Sequence, residues 1–181
     1  MIEYKPSFLF HPNRIAKVQT GWEPNQDIIP AIIVDFGVTR DTAIEFGVDY
    51  GFSTSVFAEY FKEVTGVDWF QGDKHAGTRD NFEEAKVYLR PWRNIKLIKS
   101  DYKDFIASHN ERYNLAHVDI VHTFEDTYAC GKWAIEHADI VLFHDTLSHP
   151  ESVAPAVGKL AREYDKEFYN YPVRHGLGIL I

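Results

Sequence analysis

The sequence predicts an α/β fold, in which a mostly parallel sheet carries helices on both faces. Three observations lead to this fold class. Apolar runs typical of short buried strands alternate with stretches whose apolar residues have helical spacing. A glycine-containing turn, residues 47–51, joins the first predicted strand to a helix. The chain closes with strand-like runs at 167–173 and 176–181, and their short connection, Arg174 and His175, requires antiparallel neighbours.

The elements follow one another in a regular order after the first 25 residues, which hold three prolines, show no sustained period and predict an irregular arm. Residues 26–36 have helical spacing of isoleucines, although the same residues would suit a strand. The predicted strands before the closing pair are residues 43–47, 63–68, 94–99, 115–119 and 139–143. The predicted helices are residues 53–62, 76–89, 102–109, 124–136 and 151–164. This alternation indicates crossover connections between parallel strands.

Composition and charge limit the functions open to the chain. With 181 residues and 45% hydrophobic content, residues 1–181 suit a single domain, with residues 1–25 as its arm. A net charge of −8 and the lack of a Lys/Arg-rich run disfavour a nucleic-acid partner. No apolar stretch approaches the ~18 residues of a membrane span, and no signal peptide is recognisable. Cys130 is the only cysteine, so we expect a cytoplasmic protein without disulfides.

The turn in TAIEFGVDYGFSTS, residues 42–55, is the place where the sequence most strongly indicates a ligand. Gly47 and Gly51 allow a tight turn and close approach of a ligand to the backbone, and Ser53 or Thr54 is suited to cap the following helix. The spacing matches neither a dinucleotide fingerprint nor a Walker loop. An ordinary strand-to-helix turn remains the alternative.

Acidic residues in and after this turn indicate what kind of ligand it binds. Glu45 and Asp49 would repel a diphosphate, so a ligand with a cationic or zwitterionic end fits better. Asp68 ends the next predicted strand, 21 residues beyond Gly47, where an acid commonly binds ribose hydroxyls in nucleotide-binding sheets. The alternative for Asp68 is a solvated loop carboxylate or a helix cap.

The motifs EFGVDYGFST and GVD resemble motifs I and II of the class I S-adenosylmethionine-dependent methyltransferases. The later motifs HVDIVHTFED and VLFHDT are similar to those of a small-molecule O-methyltransferase branch of the Methyltransferase-24 type. The resemblance covers roughly residues 28–181. It implies a Rossmann-like, doubly wound sheet of seven strands in the order 3-2-1-4-5-7-6, with strand 7 antiparallel.

The resemblance also implies a cofactor, S-adenosylmethionine, and residues that bind it. Glu45 and Gly47 would line its methionine end, and Gly51 and Ser53 would complete the loop. The remaining cofactor-binding residues implied are Asp68 at the ribose, Asp101 at the adenine amino group, and Asp119. Asp101 is equally suited to cap the helix that follows it.

Methyl transfer to oxygen needs a nucleophile that is aligned with the methyl group and deprotonated. Asp119 and Asp145 end neighbouring predicted strands, and carboxyl ends of parallel strands meet at one edge of a sheet. With His144 they form a candidate site for Mg²⁺ or Mn²⁺. His122 and Asp119 are the candidate catalytic residues, with His122 as general base. The alternative for His122 is a structural role beside a T-x-x-D helix cap.

The resemblance therefore implies O-methylation of a small hydroxylated acceptor, with assistance by a divalent metal left open. The alternative is a module on the same fold that binds the cofactor without transferring a methyl group. Aromatic residues of the arm and loops, among them Trp22 and Trp69, could cover the acceptor, pack against the core or form a homodimer interface.

Overall fold

The computed structural model describes residues 1–72 and 77–181. Its strands are β1 (Ile2–Glu3), β2 (Thr42–Phe46), β3 (Glu63–Asp68), β4 (Ile95–Lys99), β5 (Tyr113–Val118), β6 (Ala138–His144), β7 (Phe168–Tyr171) and β8 (Leu177–Leu180). Its helices are α1 (Ile29–Asp35), α2 (Phe52–Tyr60), α3 (Phe82–Leu89), α4 (Tyr102–Ser108), α5 (Phe124–His137) and α6 (Val153–Glu163). A short 3-10 turn, Asn25–Asp27, precedes α1.

The described strands form one sheet in the order β1-β7-β8-β6-β5-β2-β3-β4. Strand β8 runs antiparallel to both neighbours, β6 and β7, and the other pairs are parallel. Counted from β2, seven strands have the predicted order 3-2-1-4-5-7-6, so the predicted fold class is confirmed. The sequence did not predict β1, an eighth strand of two exposed residues that pairs with β7 and gives the otherwise irregular arm one regular element.

Helix α3 begins later than the sequence predicts. Its predicted first residue, position 76, lies outside the described residues, and residues 77–81 are not helical. The backbone N–H groups of Arg79 and Asn81 donate instead to the carbonyls of Gln71 and Phe70, at 3.0 and 3.2 Å. These bonds keep the segment in a loop until Phe82.

Each face of the sheet carries its own hydrophobic core. Ile44 and Phe46 of β2 face α4, α5 and α6, where the ring of Phe46 meets Phe105 and Trp133 edge-on at 5.7 and 5.4 Å. The alternate residues of β2 face α1, α2 and the arm. On that side the buried Trp22 packs edge-on against Phe57. Trp22, with the buried Tyr4 and Ala16, therefore ties the arm to the core.

No described helix has the combination of length and apolar character needed to cross a membrane.

Candidate functional site

Two adjoining cavities open at the carboxyl ends of β2, β3, β5 and β6. The larger has a volume of about 460 Å³ and the smaller about 200 Å³. Gly47, Asp49 and Asp119 line both cavities, so the two spaces meet where the turn after β2 approaches the end of β5. A Cβ atom built on Gly47, whose φ is +91°, would lie 1.7 Å from the Asp119 carbonyl oxygen. Only glycine allows this close approach.

The larger cavity is lined by three of the predicted cofactor-binding acids, Asp68, Asp101 and Asp119. Asp68 accepts backbone hydrogen bonds from Val48 and Asp49, both at 2.8 Å, and from Phe70 at 2.6 Å. A carboxylate has about four acceptor positions, so about one remains for a ligand. Burial raises the pKa of Asp68 although these N–H groups oppose the shift. Asp68 therefore both shapes the turn and faces the cavity.

Asp101 is the N-cap of α4, where its side chain accepts a hydrogen bond from the Lys103 backbone N–H at 2.8 Å. The cap suggested by the sequence is therefore present. Because Asp101 also lines the larger cavity, capping leaves its second oxygen in a position to meet a ligand.

An ion pair that the sequence did not predict crosses the mouth of the larger cavity. Arg79 Nη2 lies 2.6 Å from Asp49 Oδ1, and the Asn81 amide donates to the same oxygen at 2.9 Å. The Arg79 guanidinium also lies over the Tyr50 ring. Asp49 was recognised in the sequence only as negative charge in the turn, and its compensating cation is 30 residues away along the chain.

The smaller cavity has one wall from the arm and one from the strand ends. Residues 18–22 form the arm wall, and Asp119, His144 and Asp145 lie opposite. The indole ring of Trp22 is stacked at 6.5 Å from the imidazole of His144. Trp22 is thus both a core residue and part of the wall of the smaller cavity. Trp69 lines the larger cavity.

Four predicted residues come together at the floor of these cavities. Asp145 Oδ2 lies 2.8 Å from His144 Nδ1 and 2.9 Å from His122 Nε2. Asp119 lies 3.4 Å from His144 Nδ1 and 3.7 Å from His122 Nε2. Asp145 has a φ of 65°, a conformation that few non-glycine residues adopt and that concentrates at functional sites.

The carboxylates and imidazoles of this cluster hold one another charged. Burial disfavours imidazolium, but Asp119 and Asp145 outweigh it and raise the pKa of His122 to about 9 and that of His144 to about 10. Burial likewise opposes ionisation of the two acids, but the histidines hold the pKa of Asp119 and of Asp145 well below the usual range. In this form the cluster contains two paired acids and two paired cations.

The residues of the predicted metal site fit a divalent ion. Asp119, His144 and Asp145 each offer one ligand atom, and the three atoms lie within 4.8 Å of one another. Nε2 of His144 is buried and has no hydrogen-bond partner among the described residues. Two carboxylates and an imidazole are a donor set that suits Mn²⁺, Mg²⁺ or Zn²⁺.

Two residues that were predicted to bind the cofactor line neither cavity. Glu45 is fully buried, lines neither cavity, and accepts hydrogen bonds from Ser53 at 2.5 Å and from Thr54. Gly51 lines neither cavity either; a Cβ there would meet Leu89 Cδ1 at 2.5 Å. The expected contacts of Glu45 and Gly51 with the cofactor are thus not supported by this geometry.

The hydroxyl groups expected to cap α2 do not cap it. Gly51 is the N-cap residue, with a φ of 89° and no side-chain cap bond. Ser53 lines the smaller cavity, but its hydroxyl, like that of Thr54, is directed to Glu45. A fully buried carboxylate is costly without hydrogen-bond donors, which explains why both hydroxyls bond Glu45 rather than cap the helix.

A buried histidine completes the Glu45 network. His117, opposite Glu45 in the β2–β5 register, places Nδ1 2.8 Å from the Glu45 carboxylate. The Trp22 indole N–H donates to His117 Nε2 at 3.2 Å. Because indole can only donate, His117 accepts at Nε2 and carries its proton on Nδ1. This series of hydrogen bonds links Trp22 of the arm, through His117 and Glu45, to Ser53 beside the turn that lines both cavities.

The fold and the site together define an α/β protein with a ligand cavity at the carboxyl ends of its strands, as in Rossmann-like cofactor-binding proteins. Residues 44–146 match a family described as methyltransferase domain, and the chain belongs to this family. The predicted resemblance to class I methyltransferases is confirmed at the level of family and fold.

One relative is similar to the chain in sequence, and solved structures share its fold. The uncharacterized protein y4gI of Sinorhizobium fredii is 30% identical over 156 residues, which are 76% of this chain. The chain spans only 16% of the length of that relative. A proposed caffeoyl-CoA O-methyltransferase of Staphylococcus aureus superposes with a TM-score of 0.68 and 15% identity over 93% of this chain and 86% of its own. The O-methyltransferase of Bacillus cereus in complex with SAH superposes with a TM-score of 0.61 and 13% identity, over 92% of this chain and 83% of its own.

Proposed function

We propose that the protein transfers a methyl group from S-adenosylmethionine to a small acceptor, with the cofactor in the larger cavity and the acceptor in the smaller. The observation that carries the proposal is the meeting of the two cavities at Gly47 and Asp119. Methyl transfer requires the donor sulfur, the methyl carbon and the nucleophile to be in line across one short distance. Two binding spaces that share a wall at a rigid strand end meet this requirement.

The larger cavity supplies the groups that a nucleoside with a zwitterionic tail needs. Asp68 retains an acceptor position for ribose hydroxyls, and Asp101 retains one for an amino group. Bacillus cereus O-methyltransferase, which shares this fold, binds S-adenosylhomocysteine. In our proposal the bound cofactor supplies an activated methyl group, and Asp68, Asp101 and Gly47 hold it in place.

The acceptor atom is proposed to be oxygen. The acceptor oxygen forms a bond to the methyl carbon while the carbon–sulfur bond breaks, and the sulfonium becomes a neutral thioether. The hydroxyl proton must leave as this happens. We propose that His122 takes this proton: it lines the larger cavity beside Asp119, which borders both cavities, and its Nε2 lies near both carboxylates.

We propose that Asp119, His144 and Asp145 hold a divalent cation beside the acceptor. Such an ion lowers the pKa of a coordinated hydroxyl. Its charge on the two carboxylates would also remove the attraction that keeps His122 protonated. The small volume of the acceptor cavity, about 200 Å³, and its acidic floor favour a small hydroxylated molecule over a nucleic acid.

Calorimetric titration of S-adenosylmethionine and S-adenosylhomocysteine tests the cofactor site. Asp101→Asn keeps an oxygen for the helix cap but turns the second acceptor into a donor. We expect about tenfold weaker binding, as for loss of one hydrogen bond to a charged group. Asp104→Asn is the matched control, since Asp104 is exposed on the same helix and the charge change is identical. Failure of the wild-type protein to bind either ligand would refute the proposal.

The transfer itself is tested by S-adenosylhomocysteine release with a panel of small hydroxylated acceptors, with Mg²⁺, with Mn²⁺ and with EDTA. A methyltransferase releases product with an acceptor and loses activity in Asp145→Asn, while Asp104→Asn retains it. Cofactor binding without product formation across the panel would favour the binding module. Full activity in EDTA would show that the reaction needs no metal, and it would not count against the proposed cofactor site.

A further inference from the structure

A second group of possible metal ligands lies beside the predicted metal site. One ligand atom from each of His122, Asp145 and His149 lies within 4.8 Å of the others. The rings of His122 and His149 are stacked almost parallel, at 7° and 4.2 Å between centroids. His122 Nε2 is 2.9 Å from Asp145 Oδ2. Two imidazoles and a carboxylate thus converge on one point.

Hydrogen bonds fix the backbone on both sides of this group. The His149 N–H donates to the Asp145 carbonyl at 3.0 Å, which closes a turn and places the two side chains four residues apart on one side. The Val153 N–H donates to the His149 carbonyl at 3.0 Å. The Ser152 hydroxyl donates to the His122 carbonyl at 2.7 Å and ties the loop after β5 to the start of α6. The trio is therefore held by local structure rather than by chance proximity of surface side chains.

We propose that His122, Asp145 and His149 form a second divalent-cation site that prefers Zn²⁺ and shares Asp145 with the first site. Two imidazoles and one carboxylate favour Zn²⁺ more strongly than the one imidazole and two carboxylates of the first site, where Mg²⁺ and Mn²⁺ compete better. Ligand atoms in a tetrahedral zinc shell are about 3.3 Å apart, so small side-chain rotations would complete this one. The His122 and Asp145 side chains are 18% and 12% exposed, and the buried ring nitrogens of His122 would become accessible through the same rotations.

Occupation of this site has a consequence for the reaction, which rests on the proposed function. A zinc ion on His122 takes the imidazole lone pair that would accept the acceptor's proton. The second site would then inhibit methyl transfer, and the enzyme would respond in opposite directions to the ions of its two sites. The binding itself requires no methyl transfer and can be tested with the metal alone.

The test is equilibrium dialysis of Zn²⁺ against the wild-type protein in saturating Mg²⁺, with bound metal counted per chain. His149→Gln should weaken zinc binding by at least about 100-fold, beyond the ~10–100-fold loss typical of an outer-shell partner. His137→Gln is the matched control, because His137 precedes β6 at the end opposite Asp145. It should bind zinc like the wild type. Thermal melts without zinc check that each variant is folded.

Two results would overturn the proposal. One is a wild-type protein that binds no zinc under these conditions. The other is zinc binding that survives in His149→Gln and disappears in His144→Gln, which would assign the ion to the first site alone. Inhibition of product release by zinc, lost in His149→Gln, is measured separately. An inactive protein that binds zinc through His149 would refute the proposed function and leave the second site standing.

Discussion

Replacement of Glu45 by alanine distinguishes a structural carboxylate from a cofactor-binding one. In the structure this carboxylate is fully buried and accepts hydrogen bonds from Ser53, Thr54 and His117. Glu45→Ala leaves three buried donors without their acceptor. If Glu45 serves the fold, the variant loses stability; if it binds the cofactor, the variant loses affinity while stability changes little.

The size of the effect follows from these contacts. A buried donor left unsatisfied costs about 1–3 kcal/mol. The two hydroxyls can rotate toward backbone carbonyls and recover part of that cost, whereas the His117 N–H has a fixed direction. We therefore expect Glu45→Ala to lower the free energy of unfolding by about 3–5 kcal/mol. In a domain of this size the midpoint of thermal unfolding falls by about 2–4 °C for each kcal/mol.

Urea denaturation followed by circular dichroism measures this loss. Glu63→Ala is the matched control, because Glu63 is exposed at the start of β3 and its removal should change stability by less than about 0.5 kcal/mol. A loss below about 1 kcal/mol in Glu45→Ala, together with a large loss of S-adenosylmethionine affinity, would refute the structural role and restore the contact predicted from the sequence.

Three further predictions concern packing. Gly47→Ala should lower the free energy of unfolding by more than about 4 kcal/mol, because the new Cβ would lie 1.7 Å from the Asp119 carbonyl oxygen. Gly37→Ala is the control: Gly37 also has a positive φ but open space around it, so this change should cost only about 1–2 kcal/mol. Urea titration compares the pair, and equal losses would contradict the clash. Burial raises the pKa of the Cys130 thiol, so Ellman's reagent should not react with the native protein and should find one thiol per chain in guanidinium; rapid native reaction would contradict the burial. Deletion of residues 179–181 should abolish cooperative melting, because β8 pairs with both β6 and β7, while deletion of the exposed residues 1–3 should leave a cooperative transition. Circular dichroism melts test both truncations.

The sequence predicted the part of the site that depends on strand ends. Alternating strands and helices dictate parallel pairing, and parallel pairing brings the residues that follow each strand to one edge. Asp68, Asp119 and Asp145 reach that edge for this reason alone. Their convergence needs no knowledge of side-chain packing, which is why it could be read from residue order.

The sequence could not predict the residues whose role depends on register between distant strands. Glu45 faces His117 only because β2 and β5 are neighbours with that alignment, 72 residues apart in the chain. Without the partner, a carboxylate before a glycine turn is indistinguishable from a ligand-binding one. The same limit applies to the hydroxyls of Ser53 and Thr54, where a buried acceptor outweighed the local preference for capping.

His149 is a different case, since a local signal was present. Asp145 and His149 are four residues apart, a spacing that places two side chains together on one turn of helix-like backbone. The predicted strand ends at residue 143 and the predicted helix begins at residue 151, so the turn that holds both residues lies between predicted elements. The spacing of Asp and His is a local signal for the pair, although not for the stacking of His149 on His122.

In the proposed function, the contact between Gly47 and Asp119 separates cofactor binding from acceptor choice. Both residues follow neighbouring strands of one sheet, so the point where the two cavities meet is fixed by strand pairing rather than by a loop. Rigid elements hold reacting groups in line more accurately than loops do. The far wall of the smaller cavity, by contrast, comes from arm residues 18–22, which are held by the hydrogen bond of the Trp22 indole to His117 and by the packing of Trp22 on Phe57. If the proposed function holds, changes at positions 18–21 should therefore alter acceptor choice without disturbing cofactor binding, whereas a change at Gly47 should affect both.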